Sequence, residues 1–450
     1  MSGTLQNNKK IAEESNLTAL MNEVLAKAHE LGASDAAVSV SHDHGFSVDV
    51  RMREVETVSF HEDKGVSLVV YFGQRKGSAS TTDTSPAALN TVVLAACEIA
   101  KVSSQDPCFG LADRALMSQQ HPDLDLYHPW SIEPPEAIEQ ALACEAEALS
   151  LDKRIINSDG VNLSTYRFCN GYADTHGGQG FVRGTRHSIS CSLIAENGNG
   201  MQRDYDYTTS RRANQLVSLE QLAKSTVART VSRLGARKLK TGKTPVLFSS
   251  RVSSGLMSSF IGAISGSNLY RKNSFLLDSL GKSVFPEWMR IYEQPRLLGA
   301  LGSSPFDGEG VPTRDNVFVK DGRVAQYVLG SYSARRLGLQ TTANADGVHN
   351  LTVDENAGEL QDLIKMMDKG LLVTELMGQG VNGLTGDYSK GATGFWVEHG
   401  EIQYPVEEIT IASNLKDMFL AITAIGKDIN PNISTRCGSI LIGQMMVAGE

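Results

Sequence analysis

Along the first third of the chain the spacing of apolar positions changes period twice. Between residues 10 and 31 they recur at Ile11, Leu20, Met21, Val24, Leu25 and Ala28. That is the interval of a helix with one buried face, and Gly32 offers a residue that tolerates the left-handed conformation at its end. From Ala36 to Ser80 the interval drops to two: Val38 and Val40, then Phe46, Val48 and Val50, then Val55 and Val58, then Val66, Leu68 and Val70. Alternation of this kind predicts three or four antiparallel strands with one side against a core. Ser85-Pro86 then opens a second helical stretch through Leu89, Val92, Val93, Ala96 and Ile99, with proline in the first turn, where no N–H partner is needed. The first unit therefore reads α-β-β-β-α.

A proline-marked connector, with Pro107, Pro122 and Pro129, fills residues 103 to 131. A helix over 133–151, strands between 154 and 210 with turns at Asp159-Gly160, Gly177-Gly178 and Asn197-Gly198, and a helix over 217–234 follow. The order helix, strands, helix thus occurs twice without a residue-level repeat. From Pro245 the strand PVLFSS leads directly into the short helical segment GLMSSFIGAISG, residues 255–266. Its apolar arc is Leu256, Met257, Phe260, Ile261 and Ile264, with very small residues elsewhere. Beyond it glycine becomes dense, and Asp321-Gly322 and His399-Gly400 mark two-residue hairpins. The expected class is α+β, mostly antiparallel sheets with flanking helices. Two smaller α+β units, 1–115 and 116–240, precede a glycine-rich, β-rich domain over 241–450.

Composition narrows the possible functions. With 41% hydrophobic and 21% charged residues the chain of 450 can bury large cores and is not a disordered polymer. A net charge of -9 makes attraction to a phosphate backbone a poor basis for its main activity. The six cysteines, Cys97, Cys108, Cys144, Cys169, Cys191 and Cys437, form no C-x-x-C pair. Neither a zinc ribbon nor a disulfide scaffold is suggested, and a reducing compartment fits. The N-terminus lacks an apolar signal core and no stretch approaches 18 uninterrupted apolar residues, so a cytoplasmic protein without a membrane span is expected.

Local motifs do not assemble a catalytic centre. THGGQG, residues 175–180, lies among strands rather than opening a helix, so it does not suit a phosphate cradle. His42 and His44 in SHDHG sit in what reads as a polar loop, where solvation outweighs metal ligation. His61-Glu62 lacks the second histidine a zinc helix requires and falls in a strand-like stretch. No G-x-S-x-G elbow is present, and Cys437 has no base adjacent in sequence. The basic run Arg211, Arg212, Lys224, Arg229, Arg233, Arg237, Lys238, Lys240 and Lys243 reads as a solvated helix face and linker.

Four longer segments carry more information than any of these patterns. Residues 372–419 (LVTELMGQGVNGLTGDYSKGATGFWVEHGEIQYPVEEITIASNLKDMF), 303–311 (SSPFDGEGV), 332–339 (YSARRLGL) and 104–113 (SQDPCFGLAD) resemble the TldD/TldE (PmbA) family of peptidases, and the likeness runs from end to end. The resemblance implies a cytoplasmic two-subunit metalloprotease that degrades unfolded or small peptides, among them antitoxins and microcin precursors. In it a TldD-like partner holds zinc on an H-E-x-x-x-H helix completed by a cysteine. This chain resembles the companion subunit of that pair. By position the metal helix corresponds to GLMSSFIGA: the first His falls at Ser258, the Glu at Ser259 and the second His at Ala263, while Cys437 approximately matches the ligand cysteine. None of the first three can replace the residue it stands for.

The resemblance therefore implies no zinc in this chain and zinc in the partner, a heterodimer with a TldD-like subunit, and a homodimer when the chain is isolated. Older names in the family point to an alternative, a non-proteolytic regulatory binding protein that modulates DNA gyrase or a carbon storage regulator. A third option is a peptidase using Cys437 or a serine as nucleophile.

Overall fold

The computed structural model describes residues 2–198 and 200–450, with side chains from Glu14 onward; Ile11 therefore lies outside the residues whose side chains are described. The first unit comprises α1 (Ser2–Glu30), β1 (Asp35–Arg51), β2 (Glu54–Phe72), β3 (Arg75–Thr81) and α2 (Pro86–Val102). The second comprises α3 (Pro134–Leu151), β4 (Ile155–Asp174), β5 (Gln179–Glu196), β6 (Met201–Ser210) and α4 (Leu219–Ser232). Both units are α-β-β-β-α, and Ser85 caps α2 by accepting the Ala88 N–H, as its position before Pro86 leads one to expect.

The strands of the two units form one sheet, in the order β3-β2-β1-β4-β5-β6. Strand β1 is long enough to serve both units. Val38 and Val40 near its start join α1 and α2 in one core. Phe46, Val48 and Val50 near its end join α3 and α4 in another. These positions share one face of the strand, so both helix pairs cover the same side of the sheet. The opposite side, carrying Ser39, Ser41 and Ser67, is left for the third domain. Asp159-Gly160 is not the expected turn: both residues lie within β4, where the register against β5 shifts between Ser158 and Gly160. Gly160 there has φ 117°, so the dipeptide forms a bulge. His42 and His44 likewise lie inside β1 rather than in a loop.

The C-terminal domain contains β7 (Gly242–Phe248), α5 (Ser250–Ala263), α6 (Gly266–Tyr270), β8 (Ile291–Glu293), β9 (Asn316–Lys320) and β10 (Arg323–Val324). After these come α7 (Ser331–Leu337), β11 (Leu351–Val353), α8 (Leu360–Met367), β12 (Gly370–Met377), β13 (Asp387–Glu398) and β14 (Glu401–Asn414). The chain ends with α9 (Leu415–Leu420), β15 (Ile422–Ile425) and β16 (Ile440–Ala448). Strands run β14-β13-β12-β7-β16-β15, and β14 also pairs with β16, closing five of them into a barrel. A four-stranded sheet β10-β9-β8-β11 lies beside it. Asp321-Gly322 and His399-Gly400 form the expected hairpin turns; all four residues have positive φ.

Candidate functional site

Helix α5 follows β7 directly, and its first turn is tied to the barrel's last strand. Ser439 Oγ accepts the Ser250 N–H at 3.0 Å and donates to Asp428 at 2.6 Å. At the other end Asn268 and Ser274 donate to the Gly262 and Ala263 carbonyls, two groups that a helix terminus leaves open. Leu256, Met257 and Phe260 are buried, with the Phe260 ring 4.9 Å from Phe285 and 6.0 Å from Phe419, both edge-on. The apolar arc read from GLMSSFIGAISG is thus the buried face.

Around that helix the sequence-derived site positions separate. Ser258 is exposed and Ser259 half-buried. Each hydroxyl donates at 2.9 Å to the carbonyl four residues earlier, Ser254 and Gly255 respectively. Ala263 is buried on the core side. Cys437 lies against the start of the helix, where its carbonyl accepts from Ser253 Oγ at 3.5 Å. Five residues separate Ser253 from Ser258, about 140° around the helix axis, so Cys437 and Ser258 occupy different faces. Burial pushes the Cys437 thiol up to about 12, with Ser253 only partly opposing; at neutral pH it is a protonated core residue. Two hydroxyls turned onto their own helix, a methyl group and a buried thiol do not suit zinc. Among the described residues, no three His, Cys, Asp or Glu side chains converge as a metal-ligand group.

Three of the four segments that carried the sequence resemblance converge. In α7, Tyr332 donates to Asp106 at 2.8 Å, and Arg335 donates to the carbonyls of Cys108, Gly110 and Leu111. Glu309 accepts the Ser331 N–H that opens the same helix. YSARRLGL is therefore a clasp joining SQDPCFGLAD of the N-terminal connector to SSPFDGEGV of the C-terminal domain. Within the latter, Asp307 accepts N–H groups from Glu309, Val311 and Ala345, yet burial and neighbouring Glu309 raise its carboxyl to about 6. Gly310, at φ 75°, passes so close to Tyr172 of β4 that a Cβ would collide with its ring.

This clasp borders a cleft of about 990 Å³ between the helix-free side of the N-terminal sheet and the loops Leu301–Gly308 and Asp346–His349. Of its lining, only the residues between 303 and 308 belong to a segment singled out from the sequence, SSPFDGEGV; most of the rest come from several strands and a second, distant loop. His349 is held above the ordinary imidazole range: burial opposes this, but the Asp346 carboxylate and Glu293 outweigh it. Asp346, conversely, is raised by burial and brought below its usual value by His349.

The other sequence candidates have structural partners. In the β4–β5 turn, Asp174 accepts the His176 and Gly178 N–H groups, so THGGQG has fewer amides left for a phosphate. His42 lies 3.4 Å from Glu62, and His44 accepts from Arg167. The basic run is largely paired: Arg229 with Asp204, Arg233 with Glu375 and Lys238 with Glu408. Arg211, expected on a solvated face, is buried and donates to the carbonyls of Thr185, Ala300 and Leu301, linking the sheet to the C-terminal domain.

Two α+β units sharing a sheet, followed by a closed barrel, define the architectural class. Models of the PmbA/TldA metallopeptidase family match the chain as domain 1 over residues 36–100, central domain over 127–234 and C-terminal domain over 241–449. The chain belongs to this family. It is 48% identical over 435 residues to Metalloprotease PmbA of Escherichia coli O157:H7, covering 96% of each. It is 22% identical over 306 residues to a Metalloprotease TldD homolog of Buchnera aphidicola, covering 63% of each. A crystal structure from Bacteroides thetaiotaomicron, described as a putative modulator of DNA gyrase, superposes with a TM-score of 0.91 at 28% identity, covering 96% of this chain and 99% of that one. TldE from Thermococcus kodakarensis has the same fold, with a TM-score of 0.84 at 20% identity over 96% of this chain and 100% of its own. No helix among the described residues is long and apolar enough to cross a membrane.

Proposed function

We propose that this chain is the metal-free subunit of a two-subunit cytoplasmic metallopeptidase. It pairs with a TldD-like chain that carries zinc, closes a shared chamber with it and helps to present unfolded or small peptides, such as antitoxins and microcin precursors. The observation that carries the proposal is the chemistry of α5. The positions matching a zinc helix hold Ser258, Ser259 and Ala263, which provide no imidazole and no general-base carboxylate. The buried Cys437 thiol, raised to about 12, supports the same view and speaks against a thiolate nucleophile. A barrel domain clasped to the N-terminal sheet gives the subunit a rigid body on which a partner of the same fold can close.

The test is cleavage of an unstructured peptide by this chain, by the TldD-like chain and by their equimolar mixture, with the size of each species measured in parallel. The expected result is a mixed species the size of a heterodimer that hydrolyses the peptide, and an isolated chain that does not. Hydrolysis by the isolated chain, or the failure of any mixed species to form, would overturn the proposal.

A further inference from the structure

The cleft facing the helix-free side of the N-terminal sheet has a floor of unusual uniformity. Ser80 on β3 stands beside Ser67 on β2, Ser67 beside Ser39 on β1, and Ser39 beside Tyr172 on β4. In the next row Ser41 lies between Gly65 and Asn170. The residues alternating with these serines, Val38, Val40, Val66 and Leu68, are buried beneath α1 and α2. The sheet therefore spends its apolar side on the helices and turns a hydroxyl and amide surface, with no charged side chain among these residues, into the cleft. Phe306 and the His349 loop form the opposite wall.

A second, independent feature points to a ligand. His349 is only 9% exposed, lines the cleft, and its Nε2 makes no hydrogen bond although it ion-pairs with Asp346. The nearest acid, Asp346 Oδ1, is 3.6 Å away, beyond a good hydrogen bond. Buried polar atoms normally find partners, and an unsatisfied one at the wall of a large cleft marks a place where a bound group can supply one. The charged groups of this wall offset one another: Asp346 stands 3.6 Å from the His349 imidazole, and Asp307 lines the same cleft as the Arg211 guanidinium. At about 990 Å³ the space is at the upper end of the roughly 300–1,000 Å³ typical of ligand pockets.

We infer that this cleft is a peptide-holding subsite of the subunit, taking an extended segment through its backbone groups. Hydroxyl and amide side chains pair with peptide N–H and C=O groups whatever the sequence, which suits a sequence-tolerant holder. The inference builds on the proposed role in peptide handling.

Its test is protection of an introduced thiol. Ser67→Cys is made in a full-length chain carrying Cys108→Ser, because Cys108 is partly exposed while the other five cysteines are buried. Maleimide labelling is timed with and without a twelve-residue unstructured Ser/Thr/Lys peptide, for the chain alone and mixed with the TldD-like subunit. Val102→Cys, at the exposed end of α2, serves as control. The expected result is labelling at position 67 slowed at least fivefold by the peptide and unchanged at position 102. A companion variant, Ser41→Trp, should raise KM for the mixture's cleavage severalfold while leaving kcat near its starting value. If the mixture cleaves peptide but the thiol at position 67 is never protected, the cleft assignment falls while the peptidase role stands. If that thiol is protected but no mixture cleaves, the peptidase role falls and the cleft assignment stands.

Discussion

In the N-terminal sheet β1 buries Val38 and Val40, then Phe46, Val48 and Val50, on one face, and its ladder to β2 and β4 satisfies the backbone. The stretch from β8 to β11 in the C-terminal domain is built differently. There Glu293, only 1% exposed, accepts from Asn316 at 2.6 Å, from Asn344 at 2.8 Å and from the His349 N–H at 2.7 Å. Asn316 and Asn344 also donate to the Thr342 and Gly347 carbonyls. Where long loops replace strands, buried side chains must pair the backbone groups that no ladder reaches, so one carboxylate organises three separate segments. Regular sheet tolerates many hydrophobic exchanges, whereas the loop region depends on a few polar atoms, and that region forms one wall of the cleft.

The contrast can be broken most forcefully at Glu293. Glu293→Ala removes the acceptor of three buried donors, of which the Asn316 and Asn344 amides keep a second acceptor and the His349 N–H does not; at about 1–3 kcal/mol for each hydrogen bond lost, a loss of about 3 kcal/mol is expected in urea unfolding. Hydrogen exchange should rise in residues 291–353 while β1 and β4 keep their protection. Equal loosening of both regions would erase the distinction.

A change of similar size is expected from Asp307 when pH is varied. Its folded carboxyl, raised to about 6 from an ordinary 3.8, holds its proton more tightly than the unfolded chain does. Its contribution is therefore fully present below about pH 4 and is lost as pH rises through 6. Relative to Asp307→Asn, the native protein should lose up to roughly 3 kcal/mol between pH 4 and 7, read from paired unfolding curves. A constant difference would show that Asp307 does not titrate in this range.

Arg335→Ala should cost less, about 2 kcal/mol, since it removes charged hydrogen bonds to three connector carbonyls. Faster proteolysis within residues 104–113 would register the opened clasp. Smallest of all, Ser258→Ala should change stability by under about 0.5 kcal/mol, because its hydroxyl serves only the exposed side of its own helix. A larger loss would mean that the exposed face of α5 supports the fold.

Much of the N-terminal half was legible because period and capping agreed: the helices over 86–102, 134–151 and 219–232 follow from apolar spacing with serine or proline at their starts. The sharing of one sheet by two units was not legible, since strand neighbours are chosen by tertiary packing that alternation alone does not encode. Asp159-Gly160 misled because a dipeptide that suits a turn also suits a bulge. In the C-terminal domain the hairpins at Asp321-Gly322 and His399-Gly400 were readable, while the β14–β16 closure was not. The α5 positions Ser258, Ser259 and Ala263 acquired meaning only through family resemblance. The position of Cys437 beside Ser253 required the structure, as did the cleft, whose serines look like ordinary outward strand residues.

Zinc quantification by mass spectrometry decides whether a chain with Ser258, Ser259 and Ala263 on α5 carries zinc of its own. The measurement is made on the purified chain, the TldD-like chain and their complex after dialysis. Well under roughly 0.1 zinc per isolated chain and about one per complex are expected, following the number of zinc-helix sites. Stoichiometric zinc in the isolated chain, lost on Cys437→Ser, would contradict that expectation.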